Sequence, residues 1–326
     1  MVKVRKFGCS ETKKLRQTIK SRDIKNFQPV TKLFSLICSL FVDLNCQTQQ
    51  DKDMKQQLIW MCLLAALTTF AHPGIGIVQN SKGEIFYTDT ERVWKVSPDG
   101  NSKTVVVPNV HTHELYMDAQ DNLYGEHLWY EGETTNKWGH YVWKYDARGR
   151  FSKVRPAAEG FLRNYSFVRD TAGCMYWLVS SKNGSDWMKM SPNQKIEWLA
   201  TVPTKDVRSQ FCSKDGTFYY VDDNDLCKIA REKALVVALD LDEITGEDPE
   251  RKPNNSIFGV WDDPAGNIYV AVTSKKMVKK ITRDGRVFVV YKSPFSWMPT
   301  GGVVDKKGNL WILETNLLNV VRVVKS

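Results

Sequence analysis

Residues 111–143 read HTHELYMDAQDNLYGEHLWYEGETTNKWGHYVW, and the central part of this stretch, ELYMDAQDNLYGE (114–126), decides the fold. An apolar run is followed by a turn of Asp, Gln, Asp and Asn residues and then by a second apolar run, a pattern typical of a β-hairpin. The flanks of the hairpin carry four of the five histidines in the chain. We therefore use this stretch as the reference for the rest of the sequence.

The turn-plus-strand pattern of this hairpin occurs six times. Each copy has an Asn, Asp or Ser three residues before the turn position, where a short polar side chain caps the turn. Aromatic and aliphatic residues follow, as a buried strand requires. The copies are NSKGEIFYTD (80–89), DAQDNLYGEH (118–127), DTAGCMYWLV (170–179), SKDGTFYYVD (213–222), DPAGNIYVAV (263–272) and DKKGNLWILE (305–314).

A basic residue between apolar neighbours follows each copy, as in Trp94-Lys95-Val96, and predicts a further strand with the base exposed. Four antiparallel strands repeating every ~40–50 residues are typical of a propeller blade, because one blade cannot bury both of its faces. We predict an all-β fold, a six-bladed β-propeller of four-stranded antiparallel blades, over residues 72–326. The sixth copy stops after its third strand, so blade six needs an N-terminal strand or stays three-stranded.

The charge of the chain is concentrated at its N-terminus. Residues 1–71 contain 12 Lys and Arg against 5 Asp and Glu, and the remainder contains 34 against 32, a net charge of only +2. The globular part therefore has no electrostatic reason to bind nucleic acid or an acidic membrane.

A leader is predicted from Met54, where a lysine is followed by a short apolar run and a Thr69-Phe70-Ala71 cleavage pattern. We interpret 54–71 as a signal peptide and 1–53 as an upstream extension outside the mature protein, which would be secreted or periplasmic without stable membrane insertion. The alternative is a longer membrane-directed leader with two short apolar helices. Cys174, Cys212 and Cys227 remain after cleavage, with no zinc-finger spacing, and we expect them to be buried.

The recurrent D-x-x-G-N-[IL]-[YW] turns make 72–326 resemble the six-bladed NHL-repeat and gluconolactonase/regucalcin-like (SMP-30) propellers, with a more distant similarity to virginiamycin B lyase. The resemblance implies a propeller and, for its enzymes, a site with a divalent ion. It matches the lyase pattern only in part: His113 corresponds to the lyase histidine, whereas the glutamate that ends a G-x-L-W-F-x-E strand corresponds to Glu314 in a different blade. The gluconolactonase-like enzymes have a glutamate before their first strand, whereas blade one of this chain begins with Pro73-Gly74-Ile75 and lacks it.

In a propeller, the segments before the first strand and after the second strand of every blade meet at one face near the axis, here called the mouth. Eight residues before the turn position lie Ile75, His113, Tyr165, Arg208, Phe258 and Thr300. Six residues after it lie Asp89, His127, Val179, Asp222, Val272 and Glu314. Clustered ionisable groups form either a mutually satisfied network or a functional site.

These registers give the candidate residues. We predict His113, His127 and Glu126 as catalytic groups, since imidazoles and carboxylates exchange protons near neutral pH. Tyr165 and Arg208 are candidate ligand-binding residues, as are Trp129 and Trp138 of the long 128–139 insertion, which would stack on a flat ligand or pack the loop. A divalent metal, Ca²⁺, Mg²⁺ or Zn²⁺, would take its ligands from His111, His113, His127, Asp89, Asp222 and Glu314.

The sequence leaves two classes of function open. One is a monomeric recognition propeller whose mouth binds a small polar, sugar-like ligand or a protein. The other is a metal-dependent hydrolase of the lactonase type, or a lyase. Metal binding at the mouth would distinguish them.

Overall fold

The computed structural model describes residues 73–131, 135–160, 162–242 and 256–326, and these ranges form a six-bladed β-propeller. The predicted all-β fold is therefore confirmed. The predicted extension 1–53 and signal peptide 54–71 lie outside the described residues. Within the described ranges, no helix is long and apolar enough to cross a membrane.

The strands follow the repeat in chain order. They are β1 (Ile77–Gln79), β2 (Ile85–Thr88), β3 (Val93–Val96), β4 (Lys103–Val107), β5 (Leu115–Met117), β6 (Leu123–Tyr130), β7 (Trp138–Tyr145), β8 (Phe151–Glu159), β9 (Met175–Ser181), β10 (Gly184–Met190), β11 (Ile196–Val202), β12 (Val207–Cys212), β13 (Phe218–Asp222), β14 (Asp225–Ala230), β15 (Lys233–Ala238), β16 (Ile257–Asp262), β17 (Ile268–Val272), β18 (Met277–Ile281), β19 (Val287–Lys292), β20 (Trp297–Val304), β21 (Leu310–Asn316) and β22 (Val321–Lys325).

Four blades are four-stranded antiparallel sheets, namely β1–β4, β5–β8, β12–β15 and β16–β19. Blades three (β9–β11) and six (β20–β22) have three strands among the described residues; for blade six this is one of the two predicted alternatives, and only blade three departs from the expected four strands. In blade three, the segment before β9 contributes only one bridge, between Arg169 and Met175. Asn164 has a φ of 51° and the Ser166 hydroxyl accepts the Val168 N–H at 2.9 Å, so this segment is curled rather than extended.

The repeated turns have a common hydrogen-bond arrangement. Asp263 accepts the backbone N–H of Asn267 at 2.9 Å, its side-chain amide at 2.8 Å and the Tyr269 hydroxyl at 3.1 Å. The turn glycine, Gly266, has a φ of 78°, and blade two places Asp121 there with a φ of 60°. The carboxylate thus fixes the turn and the first residues of the next strand together, which explains why these residue types recur.

Apolar clusters between neighbouring blades form the core. Ile77, Ile85 and Tyr87 of blade one pack with Trp311 and Leu313 of blade six, so the ring closes through side-chain packing. The ring also closes at the axis, where the Thr300 hydroxyl donates to the Gly74 carbonyl at 2.9 Å.

The three described cysteines are buried, as predicted, and all three are free thiols. Cys227 lies opposite Tyr220 in the β13–β14 pairing, at the core position that tryptophans occupy in blades one and two.

Candidate functional site at the mouth of the propeller

His113 lies at the junction of the inner segments of blades one and two. Its carbonyl accepts the N–H groups of Ile75 at 2.9 Å and Gly76 at 2.8 Å. The preceding residue, Thr112, is buried, and its carbonyl accepts the Thr88 hydroxyl at 2.8 Å. The backbone of His113 is therefore held between two blades near the axis, where the register predicted it.

His113 and Glu126 face each other across blade two. The distance between Nδ1 of His113 and Oε1 of Glu126 is 3.8 Å, and their side chains are 22% and 13% exposed. The His111 ring makes an edge contact with the His113 ring, with 4.7 Å between the centroids. Together with Glu114 and His127, these residues form what we call the axial cluster.

His127 is held by two contacts. Its Nδ1 accepts the backbone N–H of His111 at 3.0 Å, and its ring stacks on Tyr141 with 4.7 Å between centroids. Nζ of Lys153 lies 4.1 Å from the centroid of the Tyr141 ring. Because Nδ1 is already bonded, only Nε2 of His127 remains for a ligand.

The protein environment shifts the pKa values within the axial cluster. Desolvation lowers the pKa of His111 to about 4, and the neighbouring His113 and His127 act in the same direction. Desolvation also lowers the pKa of His127, with Lys153 contributing. Burial raises the pKa of Glu114 to about 7, and the charge of Glu126 adds to the effect. Near neutral pH, His111 and His127 are thus uncharged, and Glu114 exchanges a proton readily.

Glu114 belongs to the axial cluster although it lies outside the two registers that predicted His113 and His127. It lies seven residues before the turn, where the other five blades have only glycine or serine: Gly76, Ser166, Ser209, Gly259 and Gly301. A Cβ on Gly259 would lie 2.7 Å from the Cα of Gly301, so the inner strands approach closely there. The sequence signal for Glu114 is therefore a single carboxylate at a repeat position that has a small residue in the other five blades.

The three predicted carboxylate ligands from other blades have partners of their own. Asp89 accepts the Trp94 indole N–H at 2.7 Å and the Arg92 Nε–H at 3.1 Å. Asp222 accepts the backbone N–H groups of Lys205 and Asp206. The structure thus brings together His111, His113, His127 and Glu126 but leaves these two carboxylates in their own blades.

Glu314 is 0% exposed and lies between blades five and six. Its oxygens accept the Tyr291 hydroxyl at 3.0 Å and the Arg322 Nε–H at 2.7 Å. In the described part of the chain, no group of three or more His, Cys, Asp and Glu residues is arranged to hold a metal ion. Metal binding at the mouth therefore stays a prediction.

The remaining candidates lie around the axial cluster. The Tyr165 hydroxyl accepts the Arg169 Nη2–H at 2.8 Å, and burial raises the pKa of Tyr165. Arg208 forms an ion pair with Asp206 beside a polar cleft between blades three and four.

The aromatic residues of the insertion divide into two roles. Trp129 covers Gly139 so closely that a Cβ on this glycine would lie 1.8 Å from the indole. Trp129 therefore packs the hairpin. Tyr130 and Trp138 lie 4.4 Å apart, and each is 42% exposed, so this pair presents an aromatic surface at the rim.

Comparison with solved structures shows the same fold. A gluconolactonase from Xanthomonas campestris aligns with a TM-score of 0.51 and 13% identity over 80% of this chain and 88% of that protein. A protein of unknown function from Bacteroides thetaiotaomicron gives a TM-score of 0.52 and 16% identity over 76% and 68%, respectively. A luciferin-regenerating enzyme gives 0.50 and 11% over 76% and 85%. The chain has the six-bladed fold of gluconolactonase-like propellers. No family profile and no curated protein matches the sequence.

At these identities the likeness concerns the fold. A gluconolactonase and a luciferin-regenerating enzyme share it, so the activity has to be argued from the residues at the mouth.

Proposed function

We propose that this protein binds a small polar, sugar-like ligand at the mouth of the propeller. The observation that carries the proposal is the axial cluster: His113 and Glu126 face each other beside two further imidazoles on one blade. Neutral imidazoles and carboxylates accept and donate hydrogen bonds to hydroxyl groups. The exposed Tyr130 and Trp138 supply an apolar surface for a ring.

A second candidate function is proton-transfer chemistry on such a ligand, as a lactonase-type hydrolase or a lyase. The pKa of Glu114, raised to about 7, favours it, because a group that titrates near the working pH is suited to general acid–base catalysis. The gluconolactonase among the similar folds makes a sugar lactone a sensible first substrate. A divalent ion beside His113 and Glu126 would polarise a carbonyl oxygen.

The test is ligand-detected NMR on the full-length protein with D-glucose and D-gluconolactone, with and without Ca²⁺, Mg²⁺ or Zn²⁺. His113→Ala should abolish binding with little change in the melting temperature, because its side chain is partly exposed. Asp222→Asn is the matched control, since Asp222 occupies the position of His127 in blade four but accepts the backbone N–H groups of Lys205 and Asp206. Binding that survives in His113→Ala would contradict the proposal.

We also propose secretion, because the Met54 leader has a signal-peptide pattern. Mass spectrometry of the exported protein should find an N-terminus near His72, and an intact chain inside the cell would contradict this.

A further inference from the structure

A second pocket lies at the rim of the mouth, beside blade two. Its lining consists of His140, Arg155, Glu159, Gly160 and Arg163, and its volume is ≈ 440 Å³. The ends of β7 and β8 and the chain that leads into blade three surround it. We call it the rim pocket.

The rim pocket carries positive charge. Arg155 and Arg163 line it, and its one carboxylate, Glu159, is paired with Lys137 at 3.3 Å. Three cationic side chains against one anionic side chain leave a net charge of +2. The Arg155 guanidinium donates to the Arg163 carbonyl at 3.3 Å, which fixes one guanidinium in the wall, while the Arg163 side chain is exposed to the pocket. Arginine forks match the geometry of a carboxylate.

The rim pocket is continuous with the exposed aromatic pair. The Gly160 N–H donates to the Trp138 carbonyl at 2.6 Å, and the Gly160 carbonyl lies 2.7 Å from Nδ1 of His140. Nδ1 must donate in this contact, so Nε2 of His140 is left to interact with a ligand. Trp138 and His140 are two residues apart on β7, and strand alternation places both side chains on one face of the sheet.

Tyr165 lies beside the rim pocket and is influenced by the charge of the axial cluster. The Arg155 guanidinium lies 5.3 Å from the centroid of the Tyr165 ring. Burial is the main cause that raises the pKa of Tyr165, and the negative charge of Glu126 contributes to the same shift. Tyr165 therefore contacts Arg155 of the rim pocket, and its hydroxyl is within the range of the Glu126 charge.

We infer that the ligand of the mouth is a sugar acid. Its carboxylate binds Arg155 and Arg163 in the rim pocket, its ring lies against Trp138, and its hydroxyl groups extend toward His113 and Glu126. This inference rests on the proposed function, and it names the chemical class of the ligand. A neutral sugar of the same size would bring no negative charge to the two guanidinium groups.

The experiment compares D-glucuronate with D-glucose, two sugars that differ by a carboxylate, by titration of the full-length protein. Wild type should bind glucuronate at least about tenfold more tightly, since a charge-assisted contact of this kind contributes about that factor. Arg163→Gln should remove the preference for glucuronate while glucose binding is retained. Arg150→Gln is the matched control, because Arg150 is paired with Asp146 in the turn between β7 and β8, away from the mouth.

The outcomes separate the two proposals. Equal affinity of wild type for both sugars, with binding lost in His113→Ala, would overturn the sugar-acid inference and leave the proposed function in place. A glucuronate preference that is unchanged in both Arg163→Gln and Arg155→Gln would also overturn the inference. If wild type binds neither sugar, the sugar-like ligand of the proposed function fails together with the inference.

Discussion

Glu114 occupies a repeat position at which the other five blades have glycine or serine, and its surroundings control when it ionises. Its pKa rises from the ordinary 4.5 to about 7 because burial disfavours the carboxylate and Glu126 repels it. The folded protein therefore holds this proton more tightly than the unfolded chain. The resulting stabilisation is complete below about pH 4.5 and is lost as the pH rises through about 7.

In the Glu114→Gln variant the side chain cannot ionise. The variant should therefore not lose stability as the pH rises through about 7, as wild type does. The free energy of unfolding of the variant relative to wild type should rise by on the order of 2 kcal/mol between pH 4.5 and pH 8. Urea denaturation at a series of pH values measures this difference. The comparison with the variant is needed because His111, whose pKa is lowered to about 4, has the opposite effect and destabilises the fold as the pH falls below 6.5. A difference that does not change with pH would contradict the raised pKa of Glu114.

At the scale of the strand, β21 shows how one side chain connects two blades. Glu314 at its end accepts hydrogen bonds from Tyr291 of blade five and Arg322 of blade six, and it is fully buried. Removing Glu314 would leave the Tyr291 hydroxyl without its acceptor and the Arg322 charge, whose side chain is 35% exposed, without its partner. The residue therefore stabilises the fold in the place where the sequence pattern predicted a metal ligand.

Glu314→Ala should lower the free energy of unfolding by about 3 kcal/mol and leave ligand binding at the mouth unchanged. Tyr291→Phe, which removes one hydrogen bond to the same carboxylate, should cost about 1 kcal/mol. Chemical denaturation and the sugar titration check both values. Loss of binding at unchanged stability would instead make Glu314 part of the site.

The strands could be predicted from the sequence because each repeat contains the residues that fix its own turn. A capping residue such as Asp263 and a turn glycine such as Gly266 fix the hairpin within ten residues of sequence. The same counting selected His113, whose carbonyl accepts backbone N–H groups of blade one. Counting along the repeat did not find the partners of Glu314. The register gives the position of a residue along its strand, but it does not show which side chains of the neighbouring blade pack against that residue.

At the scale of the whole molecule, the ring depends on the contact between its first and last blades. Trp311 of blade six is 2% exposed in the cluster with Tyr87, and its indole N–H donates to Asp305 at 2.9 Å. Lys306 adds a contact at the same junction, with its Nζ donating to the Ser81 carbonyl at 3.0 Å. Blade six therefore joins blade one through packing and hydrogen bonds between side chains and backbone.

Trp311→Ala should lower the free energy of unfolding by about 3–5 kcal/mol, the range for truncating a buried aromatic side chain. Trp198→Ala is the control, because Trp198 is 60% exposed on the outer strand of blade three and should change stability by less than about 0.5 kcal/mol. Denaturation followed by circular dichroism measures both. Equal effects of the two substitutions would contradict the closed ring.

The sequence could not show which mouth residues touch, because the axial cluster forms between segments whose side-chain directions depend on the ring. Tyr165 illustrates the limit: its register predicted a place at the mouth, whereas its position beside Arg155 and Arg169 follows from the packing of blade three against blade two.

The most direct test of the axial cluster is NMR of the histidine ring nitrogens in the full-length protein during titration with D-glucuronate. We predict that the ring signals of His113 shift in a saturable manner and that those of His111 shift with them, because the two rings are in contact. Signals that His113→Ala removes identify the residue. Saturable binding that leaves the His113 ring unchanged, or the absence of any binding, would contradict the account.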